Sequence, residues 1–403
     1  MDTEEKLALL GGAARYEIAG TAGRAPIRGP GIRGALCAGE GPGGATGTLL
    51  RVLQSSRCDY DCAYCPLRKS AGTLRAVLAP EELASAFADL WRRKRVDGLM
   101  LSSAADGGPD PAMARMLDTL QILRGRHHYD GYVHLKVLPG VAPAAIAEAA
   151  LLADRLSLNV EAPNGRYLQD LGTGKDWERD ILRPLADLRA LDQEGAVRSG
   201  LSSQLLVGLA PPGEAPASDR ALAEGSRALR RDFGLRRVHY GLFQPAQDTP
   251  LAEAPAPDPR RRARLYQWEW LAGSYDFADH ELDAAFDPTG HLPLALDPKL
   301  AVSLAHPLER PVEVNTASYE ELLRVPGIGP VSARRIADLR HLGVLREMTD
   351  LRSLGVVAGR AAPFVLLNGT RPPEAAASLA RLRKLLRATK PRPTQLSFWP
   401  EFG

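Results

Sequence analysis

The sequence predicts an α/β chain built on a parallel sheet, followed by a small all-α unit. Three observations carry this. Between residues 47 and 250, six short apolar runs with strand character alternate with five helical patterns. Such alternation builds parallel sheets with helical crossovers. A Pro/Ala-rich stretch, Pro250 to Pro259, then ends the alternation. From about Glu313 the pattern is helical only, broken by tight Pro/Gly turns.

Residues 1–46 read as a short helix followed by a Gly/Pro/Ala-rich, irregular lead-in. The strand candidates are Thr48–Gln54, Gly98–Ser102, Gly131–Val137, Arg155–Val160, Ser203–Leu209 and Arg237–Phe243. Between them the helical patterns are Pro80–Lys94, Pro111–Arg126, Pro143–Ala153, Trp177–Glu194 and Asp219–Asp232. The first begins Pro80-Glu81-Glu82, with Pro at the opening turn and acids at the positive end of the helix dipole. Together these make residues 47–250 one α/β domain, and the strand count alone leaves an open sheet and a partial barrel equally open. Residues 251–312 form an extension with one helix near Arg260–Asp276, 313–370 a helical domain, and 371–403 a basic flexible tail with one short helix.

Composition narrows the function. Hydrophobic residues are 45% and charged residues 25% of the 403, as in ordinary globular chains. No apolar run approaches the ~20 residues of a membrane helix. The acidic start lacks the order of a signal peptide, so a cytoplasmic protein is expected. The charge is unevenly spread. From Asn315 to Gln395 there are 14 Arg and Lys against 6 Asp and Glu; elsewhere there are 37 against 42. A basic module on an acidic chain points to a polyanionic partner or to a solvated basic face.

Three of the four cysteines, Cys58, Cys62 and Cys65, lie within eight residues, directly after the first strand. The spacing is C-x₃-C-x₂-C. A tight cluster in a cytosolic chain points to metal or catalysis, because disulfide frameworks spread their cysteines. Three soft thiolates suit iron–sulfur chemistry and leave one iron open. Structural zinc is the alternative; it needs a fourth ligand, for which Cys37, His127, His128 and His134 are the candidates.

The spacing, with Tyr64 before the last Cys, resembles the signature of the radical S-adenosylmethionine (SAM) superfamily. That resemblance implies a partial (β/α)₆ barrel, a [4Fe–4S] cluster on Cys58, Cys62 and Cys65, SAM bound at the open iron, and an external electron donor. It also implies SAM contacts at the carboxyl ends of the strands. Where members often carry a Gly-Gly-Glu-like segment, this chain has Ser102 and Ser103. The third strand supplies His134 and Lys136, two apart and so on one face. Ser157, Asn159 and Glu161 put three polar groups on one face of the fourth, where burial without partners is costly. Gln204 belongs to the fifth strand, and Tyr64 is a candidate neighbour of adenine. Cys37 stands apart as a candidate hydrogen-atom donor, against the plainer reading of a buried apolar residue.

In the C-terminal region Thr316 or Ser318 can cap a helix, Pro326-Gly327-Ile328-Gly329 forms a tight turn, and Pro330 opens a second helix followed by Arg334 and Arg335. This resembles a helix–hairpin–helix, a module that grips backbone phosphates without reading sequence. Gly327, Ile328, Gly329, Arg334 and Arg335 are its candidate DNA contacts. A degenerate second hairpin is suggested through Leu354-Gly355-Val356. The two motifs together resemble a family described as DNA modification or repair radical SAM proteins, which are linked with uracil-DNA-glycosylase-like partners. The tail segment Gln395-Leu396-Ser397-Phe398-Trp399 resembles the peptide that binds the bacterial sliding clamp, with Phe398 and Trp399 departing from its pattern.

Overall fold

The computed structural model describes residues 1–16, 34–40, 46–305 and 311–389. The chain divides into two compact units, residues 1–217 with 224–258 and residues 218–223 with 259–403.

In the first unit seven strands lie side by side in chain order: β1 (Leu36–Glu40), β2 (Thr46–Leu53), β3 (Gly98–Ser102), β4 (Tyr132–Lys136), β5 (Arg155–Ser157), β6 (Leu201–Val207) and β7 (Arg237–Leu242). Strands β2 to β7 run parallel. They are the six the sequence predicts, with β5 cut short after Ser157. The lead-in differs from expectation: β1 pairs antiparallel to β2, with Cys37 opposite Leu49. A five-residue edge strand among glycines has too little alternation to be read locally; its partner makes it a strand.

The helices are α1 (Thr3–Ala13), α2 (Pro80–Arg92), α3 (Pro109–Gly125), α4 (Pro143–Leu152), α5 (Gly165–Asp170), α6 (Arg183–Gln193) and α7 (Asp219–Phe233), whose first turn is counted in the second unit. A π-helical turn, Trp177–Leu182, leads into α6. Helices α2, α3, α4 and α6 each pack against the next. They cover the face formed by alternate apolar residues such as Leu99, Leu101, Val133 and Leu135, all fully buried. The opposite face carries Ser102, His134, Lys136 and Ser157, which are also buried. Parallel strands buried on both faces normally read as continuous apolar runs; here one face is polar, and that face holds the site.

The second unit contains α8 (Arg260–Ser274), α9 (Asp279–Asp283), α10 (Pro298–Ala305), α11 (Tyr319–Arg324), α12 (Pro330–Leu339), α13 (Met348–Ser353), α14 (Ala358–Ala361) and α15 (Ala375–Thr389). Its core gathers Leu322, Val325, Ile328, Ile336, Leu351, Ala361 and Val365. The helical pattern is as expected, but α15, in the segment read as a flexible tail, buries Leu382 in this core, and there is one addition. Strands β8 (Val312–Glu313) and β9 (Val365–Leu366) form a short parallel pair that closes the core.

Candidate active site and nucleic-acid interface

The cysteine loop leaves β2 at Gln54 and is closed by its own hydrogen bonds. Gln54 donates its backbone N–H to Ser102 at 2.7 Å, and Asp59 donates to Ala105 at 3.0 Å, which ties the loop to the carboxyl end of β3. Arg75 donates to the carbonyls of Ser56, Leu67, Arg68 and Ala71 at 2.6–3.2 Å. The Arg68 guanidinium clasps both carboxylate oxygens of Asp61, and Ser70 donates to the same group. These donors hold the Asp61 carboxyl well below the usual range.

Within the loop Cys62 is buried, and Cys58 and Cys65 are partly exposed. Desolvation pushes the Cys62 thiol up and the Cys65 thiol up to about 12, with neighbouring cysteines adding to the rise. Thiols in this setting release their protons to solvent only when a strong acceptor binds the thiolate, and iron or zinc is one. The Leu67 N–H points at Cys65 Sγ from 3.4 Å, the kind of contact that tunes a metal-bound thiolate. The donor set therefore fits an iron–sulfur cluster.

Three of the four candidate fourth ligands for zinc make contacts of their own. Cys37 packs with Leu49, Met100 and Tyr132. His134 Nε2 lies 2.8 Å from Ser157 Oγ, and His127 Nδ1 lies 3.1 Å from Arg92. Among the described residues, no three His, Cys, Asp or Glu are gathered to hold a single metal ion. A zinc site gathers its donors within ~2.3 Å of one point; a cubane cluster holds each thiolate on a separate iron.

Four of the residues read from the sequence form one hydrogen-bonded chain from β4 through the segment that follows β5 to β6. Lys136 Nζ donates to Asn159 Oδ1 at 2.7 Å. Asn159 Nδ2 donates to Glu161 Oε1 at 2.8 Å, and Gln204 Nε2 donates to Glu161 Oε2 at 3.3 Å. Glu161 takes a left-handed backbone, φ 66°. Two backbone bonds to β6, with Gln204 and Leu206 at 2.8 Å each, hold it there. A non-glycine residue in that region is strained, and such strain clusters at functional sites. Ser157 belongs with His134 instead. Ser102 ends β3 on the same face, Ser103 donates to Ala104 at 2.8 Å, and Tyr64 is half-buried beside Cys65.

Lys175 lies beside the cysteine loop and is a candidate site residue that the sequence reading misses. Its ammonium lies 5.3 Å from the centroid of the Tyr60 ring. Burial would lower its pKa, but Cys62, Glu161, Tyr60 and Cys58 outweigh burial and raise it. It sits in Gly172-Thr173-Gly174-Lys175, between the strand pattern Arg155–Val160 and the helical pattern Trp177–Glu194. That glycine-flanked lysine was the available signal.

In the second unit Ser318, rather than Thr316, caps α11, with Glu321 completing a capping box. Gly327 has φ 85°, and a Cβ there would stand 2.7 Å from the Val357 carbonyl. Gly329 precedes Pro330 at the start of α12. Ile328 is a packing residue: it is 1% exposed and its N–H donates to Val325 within the turn. Arg334 and Arg335 are exposed on α12. Lys299, not anticipated from the sequence, donates to the Ile328 carbonyl at 2.6 Å from α10. The suggested second hairpin is present as α13 and α14 around Gly355, φ 88°.

A helix-hairpin-helix motif model matches residues 309–356. The helix–hairpin–helix therefore accounts for α11, α12 and α13. Solved structures similar to the chain include methylornithine synthase, at 15% identity and TM-score 0.43 over 53% of this chain and 58% of that one. The FeFe-hydrogenase maturase of Carboxydothermus hydrogenoformans is similar at 15% identity and TM-score 0.42, over 53% and 48%. A radical SAM methyltransferase of Kitasatospora setae, solved with cobalamin and a [4Fe–4S] cluster, is similar at 14% identity and TM-score 0.38, over 83% and 60%. The chain thus spans less than two thirds of each of these structures. No curated protein matches it.

Proposed function

We propose that this chain is a radical SAM enzyme that modifies or repairs DNA. One observation carries the reading: a closed C-x₃-C-x₂-C loop leaves the first parallel strand on a sheet whose polar face holds the linked Lys136, Asn159, Glu161 and Gln204. In this reading Cys58, Cys62 and Cys65 hold the cluster. With SAM bound, the cluster supplies a 5′-deoxyadenosyl radical that abstracts hydrogen from substrate.

The chain's own residues bind and orient. Asn159 and Glu161 offer acceptors and a donor to the ribose hydroxyls or the methionine end of SAM. Ser102, Ser103, Lys136, Ser157 and Gln204 complete the lining, and Tyr64 packs near adenine. The helix–hairpin–helix supports nucleic acid as the substrate class. Gly327, Gly329, Arg334 and Arg335 grip the phosphate backbone, with Ile328 anchoring the turn. Cys37, packed beneath Tyr132 and Met100, is assigned no role in this chemistry.

An electron donor is required, and a uracil-DNA-glycosylase-like protein is a candidate partner. Clamp binding through Gln395–Trp399 also belongs to the proposal, and those residues lie outside the described ones. Among the described residues no helix is long and apolar enough to cross a membrane; a cytoplasmic location is part of the proposal.

The test is anaerobic reconstitution with iron and sulfide, followed by SAM and a strong reductant. We expect 5′-deoxyadenosine from the intact chain, none from Cys62→Ala, and more in the presence of duplex DNA than of structured RNA. A colourless, zinc-containing protein that leaves SAM intact would overturn the enzyme. Equal or greater stimulation by RNA would move the substrate.

A further inference from the structure

The polar face of the sheet holds more than the chain around Glu161 uses. Strand register places Arg51 (β2), Lys136 (β4), Arg155 (β5) and Arg237 (β7) on this face. Glu161, just beyond β5, adds a carboxylate through its link to Asn159 and Lys136. His239 is 3% exposed and stands beside Gln204 in the register. Among the described residues neither of its ring nitrogens has a hydrogen-bond partner, nor have Ser202 Oγ, 2% exposed, and Arg155 Nε. Buried polar atoms almost always find partners, so several on one face call for an explanation.

These groups converge. Burial lowers the His239 pKa to about 3, and Arg237, Lys136 and Arg155 push it the same way. His134 is held well below its ordinary value by burial, then by Lys136, Arg155 and His239. Strands β4 and β7 are three apart in the sheet. Their side chains act on one another because the sheet curls around this face. Both imidazoles are neutral near pH 7, each with one donor and one acceptor nitrogen. An apolar ligand would leave these groups unsatisfied, and a cation would be repelled. A multivalent oxyanion would take the neutral donors and the charges together, with the guanidinium giving directional bonds.

We propose that this face, between β4 and β7, binds the phosphate of a nucleotide substrate through His239, Ser202 and Arg155. The assignment deepens the reading above, from which it takes only the word substrate. A nucleotide swung out of a duplex brings its own phosphate with it, and enzymes acting on a base extrude it in this way.

The test is anaerobic titration calorimetry on the reconstituted full chain, with deoxynucleoside 5′-monophosphates, the matching nucleosides and inorganic phosphate. Monophosphates are expected to bind at least about tenfold more tightly than nucleosides, and more tightly than inorganic phosphate. Arg155→Gln and the milder His239→Asn should each remove most of that advantage, with iron content and SAM binding unchanged. Equal binding of nucleoside and monophosphate, or variants that keep the preference, would overturn the site. A preference for inorganic phosphate alone would overturn the nucleotide assignment. Failure of SAM cleavage with the preference intact would instead count against the enzyme reading, so the two are told apart.

Discussion

Lys175 holds its ammonium 5.3 Å from the centre of the Tyr60 ring, and Tyr60 lies between Cys58 and Cys62 in the chain. A cation is thereby fixed near Cys58, Cys62 and Glu161, which would all be anionic with the proposed cluster bound. The aromatic face and the carboxylate stabilise a charge that burial disfavours.

Replacing Lys175 tests that placement. Net charge beside a cluster sets its potential, and a cation favours the reduced, more negative form. Lys175→Met is expected to shift the cluster potential negative and to weaken SAM binding by about tenfold, a loss of ~1.4 kcal/mol. Lys175→Arg should recover most of both. A redox titration followed by electron paramagnetic resonance reads the first. An unchanged potential together with unchanged SAM affinity would rule the role out.

Glu161 accepts from both Asn159 and Gln204. Glu161→Ala removes the acceptor of two hydrogen bonds, one of them from the buried Gln204, and is expected to cost ~1–3 kcal/mol. Glu161→Gln keeps one acceptor oxygen and should cost less. Urea unfolding of the two variants gives the order; equal midpoints would show that the chain is not under structural load.

The two hairpin glycines should behave differently. At Gly327 a Cβ would collide with the Val357 carbonyl at 2.7 Å, on a backbone of φ 85°. Gly327→Ala is expected to destabilise the second unit by ~1–3 kcal/mol. At Gly329 the nearest atom to an added Cβ is the Tyr275 hydroxyl at 3.8 Å, an ordinary contact. Gly329→Ala should fold normally and still lose affinity for duplex DNA, because the new methyl group obstructs an approaching phosphate. Thermal melts paired with filter binding at fixed salt would separate the effects; full affinity in Gly329→Ala would remove the turn from the interface.

Lys299 makes the hairpin sensitive to pH. Burial lowers its pKa to about 7, Asp297 opposing and Arg324 assisting. The unfolded value is ~10.4. Between these values the unfolded chain binds more protons, so stability rises as pH increases from about 7 towards 10. Below pH 7 the buried ammonium is charged and that gain is absent. Hydrogen exchange of segment 318–336, corrected for intrinsic rate, should therefore show more protection at pH 8.5 than at 6.5. The difference should vanish in Lys299→Met, and persistence there would assign it to another group.

The order of strands and helices was legible in the sequence because each element carries its own periodicity and caps, as with Pro80-Glu81-Glu82 opening α2. The cysteine spacing and the Pro326–Pro330 turn were legible for the same reason: their chemistry lies within a few consecutive residues. The alternation in Ser157–Glu161 also showed that one strand carries a polar face, since period two survives as a local pattern. Tertiary structure alone decided the rest. The strand status of Cys37 depends on a partner across the β1–β2 pair. Lys175 reaches Tyr60, and Lys299 reaches the Ile328 carbonyl, across separations over which sequence carries no periodicity. The placing of His134 and His239 on one polar face, three strands apart, depends on the sheet's order and register, which no single strand encodes.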